Sequence, residues 1–170
     1  MGELTLKKSA LVVKKSIAIG APVAKVWQVI TSPEAMKRWM LVEPDLDEDQ
    51  PFGLGSKVRW KDETGKPYLV GTVVTFEPAR NLVLELQDVS WKRPAGPREV
   101  TYVLTLSPVG KATHVAFSLG DLSIDPDAQT WYDAYNRSRE LENIKELAEG
   151  LRTDAERKGR RASPKARRRA

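Results

Sequence analysis

Few residues in this chain have the type and spacing to do chemistry. His114 is the single histidine. An imidazole acting as a general base needs an orienting partner and a place inside a pocket. Alternation sets His114 opposite Val115, Phe117 and Leu119, so it reads as an outward-facing strand residue and is assigned no catalytic role. The run Asp45, Asp47 and Asp49 begins like a calcium loop, but Gln50 stands where the turn glycine belongs and Ser56 where the bidentate Glu belongs. A solvated, mobile acidic loop is expected there, without a metal. Gly65-Lys66 runs straight into Pro67 and has no earlier glycine to complete a phosphate loop. The absence of cysteine excludes thiolate metal sites, a thiol nucleophile and a disulfide framework. With one histidine, and that one read as outward-facing, neither an imidazole triad nor a histidine-rich zinc site is expected.

The chemistry that remains is recognition. Trp39, Trp60, Phe76, Tyr102, Phe117, Trp131 and Tyr135 all fall at inward positions of their periodic segments and either form ordinary core or line an apolar ligand cavity. Ser138 is the most informative of the cavity candidates, being small and polar within an apolar helical stripe. It reads as a pocket mouth or as room left for a bulky neighbour. The hydroxyls of Tyr102, Tyr135 and Ser138 would be the polar handles, since the inward faces read from periodicity include no clear Asp, Glu or His.

The elements that position these side chains follow from periodicity. Residues 10–19 alternate, with Leu11, Val13, Ile17 and Ile19 on one side, as a half-buried strand does. Pro22 suits the first turn of a helix whose Val23, Val26, Trp27 and Ile30 share one face. Ser32-Pro33-Glu34 then caps and starts a second short helix carrying Met36, Trp39 and Met40. Five alternating runs follow between residues 57 and 119, separated by turn-rich segments, which implies an antiparallel meander. After Asp125-Pro126 the period becomes helical. Trp131, Tyr135, Ser138, Leu141, Ile144, Leu147, Ala148 and Leu151 lie on one side of an expected helix of roughly 25 residues. An apolar sheet face needs a cover, and this helix is the element large enough to supply it.

Charge divides the chain differently. The net charge is +5, yet residues 152–170 hold nine Lys/Arg against two acidic residues. The remaining 151 residues therefore carry 19 basic and 21 acidic groups, close to neutrality. Residues 152–170 read as a disordered basic tail, 1–9 as an N-terminal extension and 10–151 as the folded domain. Arg160, Arg161, Arg167, Arg168 and Arg169 could touch polyanions without base specificity, since no aromatics are interleaved to stack on bases. Arg160-Arg161-Ala162-Ser163 is similar to a basophilic kinase site, a short and weak match. No run of roughly 18 apolar residues is present to span a membrane. The opening Met1–Lys8 lacks a signal peptide's apolar stretch, so a cytoplasmic protein is expected.

Two motifs carry a family resemblance. Ile17-Ala18-Ile19-Gly20-Ala21-Pro22-Val23-Ala24-Lys25-Val26-Trp27, followed by Thr31-Ser32-Pro33-Glu34-Ala35-Met36-Lys37-Arg38-Trp39, resembles the opening of the START-like (SRPBCC) superfamily. The similarity is greatest to the branch named after activators of the heat-shock-protein-90 ATPase. Gly53-Leu54-Gly55-Ser56-Lys57-Val58, Gly71-Thr72-Val73 and Glu77-Pro78-Ala79-Arg80-Asn81-Leu82 support it, over residues 10–150. The chain departs from that pattern where Gly53-Leu54-Gly55 replaces a Gly-Gly pair and Pro78-Ala79-Arg80 replaces Pro-Pro-Arg. The resemblance implies an α+β helix-grip fold, in which a curved antiparallel sheet wraps a long C-terminal helix around a hydrophobic cavity.

The function expected on these grounds is binding of a small hydrophobic or amphipathic molecule, with no cofactor, no metal and no evident catalysis. The alternatives are a cyclase/dehydratase-type enzyme using the same cavity, and a chaperone-modulating or protein-interaction module. A nucleic-acid binder acting through the tail is a further rival.

Overall fold

The computed structural model describes residues 10–150. The expected tail, with the five arginines singled out for polyanion contact, the N-terminal extension and Leu151 lie outside the described residues. Strand β1 (Val13–Ile19) leads into helices α1 (Val23–Thr31) and α2 (Pro33–Trp39). Strands β2 (Asp45–Leu46), β3 (Lys57–Lys61), β4 (Pro67–Glu77), β5 (Asn81–Asp88), β6 (Thr101–Val109) and β7 (Ala112–Gly120) follow. A 3₁₀ turn (Leu122–Ile124) then precedes helices α3 (Ala128–Arg137) and α4 (Glu140–Glu149).

All seven strands form one antiparallel sheet in the order β1-β7-β6-β5-β4-β3-β2. From β2 to β7 it is a meander, because strands that are neighbours in sequence pair side by side. The exception is β1, which pairs with β7 from Val13↔Leu119 to Ile19↔Thr113. The curved sheet presents one apolar face to the helices, and α4 packs on β1, α1 and α2. The helix-grip α+β fold is therefore the observed one.

Local chemistry accounts for the element boundaries. The Ser32 hydroxyl accepts the Ala35 N–H and Pro33 occupies the first turn of α2, as expected of a capped helix start. A bulge between Val73 and Thr75 shifts the pairing of β4 with β5. Upstream of it Leu69 and Val73 are buried; beyond it Phe76 sits opposite the buried Leu82. The extra residue thus turns Phe76 toward the helices. At the far end, the Glu149 carboxylate accepts the Gly20 N–H at 2.6 Å, tying the end of α4 to the end of β1.

Two expectations are refined. The acidic segment is not all loop. Asp45 and Leu46 form an edge strand on β3, and the Arg59 guanidinium binds Asp45 at 3.1 Å and Asp47 at 2.7 Å. The C-terminal helical region breaks at Ser138, whose ψ of 159° is extended rather than helical. The missed signal is weak: nothing in Arg137-Ser138-Arg139 is a strong helix breaker.

Candidate functional site

The break at Ser138 produces the most unusual arrangement in the molecule. Two carbonyls at the end of α3, those of Tyr135 and Ser138, point at the inner face of the sheet. Carbonyls of a last turn lack partners within the helix and carry the negative end of its dipole. Lys15, on the same side of β1 as Val13 and Ile17, meets them. Its Nζ donates to Tyr135 O at 2.9 Å, Ser138 O at 2.7 Å and, more weakly, Ser138 Oγ at 3.3 Å. The Ser138 hydroxyl itself donates to Tyr135 O at 2.9 Å. The small polar residue in the apolar stripe is thus part of a helix stop closed by a lysine from the sheet.

Restarting the helix after the break brings Glu140 inside. It is 2% exposed, on one helical row with Ile144 and Ala148, both buried. Its Oε2 accepts the Tyr102 hydroxyl at 2.9 Å and the Leu41 N–H at 2.8 Å. Its Oε1 is buried and has no hydrogen-bond partner in the protein. Burial pushes the carboxyl up to about 7, against the Leu41 and Tyr102 hydrogen bonds and the Lys15 charge, which favour the ionised form. Burial likewise holds the phenols of Tyr102 and Tyr135 well above their usual range, and the charge of Glu140 adds to both shifts. The expectation that no acidic group lies within is corrected. The spacing Glu140, Ile144, Ala148 was the signal for it, masked by reading the helix as continuous through Ser138.

The expected cavity residues divide into groups. Trp60, Tyr102 and Phe117 cluster on the sheet, with ring centroids 6.3 and 5.1 Å apart on either side of Tyr102. Trp131 is half-buried and stacks on Tyr135 at 5.9 Å. Tyr102, Tyr135 and Ser138 all approach the Glu140 region, through the carboxylate, through its field and through Lys15. Trp39 is wholly buried under α2, and its indole N–H donates to Val29 O at 3.1 Å. Phe76 stands apart, against Trp27 and Phe52. His114 is exposed on the outer face of β7, as alternation predicts. Among the described residues no three His, Asp or Glu side chains converge on a metal position, and no helix is long and apolar enough to cross a membrane.

Chemically, the arrangement can hold an apolar molecule by a polar end, or move a proton. A carboxyl that titrates near neutrality, in contact with a phenol, is both an acceptor and an acid.

Known proteins place this architecture. The family described as Activator of Hsp90 ATPase homolog 1-like protein matches residues 20–149. No curated protein matches the chain. Protein MLL2253 from Mesorhizobium loti is similar in structure, with a TM-score of 0.64 at 20% identity, over 84% of this chain and 99% of that one. The Aha1 dimer from Colwellia psychrerythraea has a TM-score of 0.54 at 16% identity, over 81% and 95%. DynU16, a protein of the dynemicin biosynthetic locus, has 0.55 at 18%, over 84% of this chain and 48% of its own. At these identities the likeness is one of fold.

Proposed function

Because this chain belongs to the Activator of Hsp90 ATPase homolog 1-like family, we propose that it is a cytoplasmic binder of a small hydrophobic or amphipathic molecule, held between the sheet and helices α3 and α4. One observation carries the reading: a carboxylate oxygen, Glu140 Oε1, buried without a partner on a carboxylate that is bonded to the Tyr102 phenol. Leaving such an atom unsatisfied costs about 1–3 kcal/mol, which a ligand's polar end would recover. Trp60, Tyr102, Phe117, Trp131, Tyr135 and Ser138 are the proposed lining, with Trp39 and Phe76 at its periphery. Native mass spectrometry of the purified protein is expected to show a retained small molecule, or saturable, stoichiometric uptake of anilinonaphthalene sulfonate. If neither occurs the reading fails, and a protein-interaction or chaperone-modulating role takes its place.

A second reading is favoured by the same carboxyl. A group poised near pH 7 beside a phenol suits the proton transfers of a cyclase or dehydratase. Turnover of a bound molecule that Glu140→Gln abolishes, while binding persists, would move the protein to that class. For residues 152–170, non-specific polyanion contact is proposed. Loss of heparin retention on removing them would bear it out.

A further inference from the structure

The unpartnered oxygen also constrains what kind of molecule fits, granted the ligand-binding reading above. Both hydrogen bonds donated to Glu140 converge on Oε2, from Leu41 and Tyr102. Oε1 is shielded from solvent and receives none. The nearest cation is Lys15, but its N–H groups are occupied by the Tyr135 and Ser138 oxygens rather than by the carboxylate. The ionised carboxylate therefore lies in the interior without a direct counter-ion. A buried charge gains most from a donor of opposite charge, because the hydrogen bond and the Coulomb attraction then act together in a poorly screened medium. The ring systems point the same way. Tyr102, whose phenol is bonded to the carboxylate, lies between Trp60 and Phe117, and Tyr135 is stacked with Trp131; aromatic faces of this kind receive organic cations.

We propose that Glu140 Oε1 anchors the protonated amine of an otherwise apolar, aromatic-sized molecule, so that the site selects hydrophobic amines over neutral molecules of the same shape. Lys15 from β1, Tyr102 from β6 and Tyr135 from α3 are the other titratable groups around this carboxyl. Of these, Lys15 works against an amine by its charge. It is held off by its own hydrogen bonds at the helix stop.

The test is displacement of Nile red, a neutral dye, by phenylpropylamine and by phenylpropanol, its neutral counterpart. With the full chain near pH 8 the amine is expected to displace dye at a concentration about tenfold or more below that of the alcohol, the range for a charge-assisted hydrogen bond. The advantage should shrink near pH 6, where the carboxyl holds its proton, and vanish in Glu140→Gln while the alcohol still binds. Equal displacement by the two compounds overturns the amine proposal and leaves the apolar site standing. An advantage that is unchanged between the two pH values places the charge elsewhere and overturns it too, with no variant needed. No saturable dye binding at all removes the site together with its proposed ligand. These results separate failure of the amine from failure of the pocket.

Discussion

The Tyr102 hydroxyl donates to Glu140 Oε2 at 2.9 Å, joining strand β6 to the first turn of α4. The same oxygen accepts Leu41 N–H just beyond α2, so one carboxylate ties together a strand, a helix start and the connection that leads into the acidic segment. An ion in that position is costly to bury, and its hydrogen bonds only partly offset the cost. The arrangement has consequences for stability that can be measured apart from any ligand.

The first is pH dependence. Burial raises the Glu140 carboxyl from 4.5 to about 7, so the folded protein holds this proton more tightly than the unfolded chain does. The contribution is therefore fully present below about pH 4.5 and is lost as pH rises toward 7. The shift corresponds to roughly 3 kcal/mol at most. Urea unfolding near pH 5 and near pH 8 should show a larger loss for the wild type than for Glu140→Gln. Identical pH profiles would mean that the carboxyl is not buried as described.

Lys15→Met keeps the apolar stem but removes the ammonium from the Tyr135 and Ser138 carbonyls. Ser138 O is left without its donor, while Tyr135 O keeps the Ser138 hydroxyl and N–H, and the loss should be about 1–3 kcal/mol. Hydrogen exchange should speed up in α3 more than in α4, which has its own contacts with α1 and α2. Unchanged protection of α3 would show that the lysine does not hold the helix stop.

Leu141→Ala should cost roughly 2–5 kcal/mol, because Leu141 is 2% exposed beneath α4. Trp131→Ala should cost less than the usual range for a core aromatic, since Trp131 is only half-buried on α3. A reversed order in urea melts would indicate that α3, not α4, is the helix gripped by the sheet.

Gly71→Ala tests a tight point of the sheet interior. A methyl group there would meet Leu84 Cδ2 at 2.9 Å and Leu86 Cδ2 at 3.1 Å. Both leucines are buried with little room to turn, so overpacking should cost about 1–2 kcal/mol. A melting temperature equal to that of the wild type would mean the two side chains yield freely.

Periodicity by itself determined most of the architecture. Alternation in Tyr102, Leu104 and Leu106 and in Val115, Phe117 and Leu119 places these residues on the buried face, where the structure has them, and the exposed His114 on the other. The Ser32-Pro33 start of α2 was equally legible, because capping depends on residues adjacent in the chain. What only the tertiary structure decided depends on groups far apart in sequence. The helix stops at Ser138 where Lys15, 123 residues earlier, supplies partners for the last carbonyls. Nothing local to Arg137-Ser138-Arg139 announces that stop, so the helix read as one piece and its inward face read as free of acidic residues. Phe76 joins Trp27 and Phe52 because a bulge at Val74 changes the pairing with β5. Asp45 and Asp47 take their places from Arg59 across a strand pair. Side-chain period records which face of an element is buried; which charges meet inside is set by packing between elements, where a buried carboxylate and a sheet lysine are positioned by partners that no local pattern encodes.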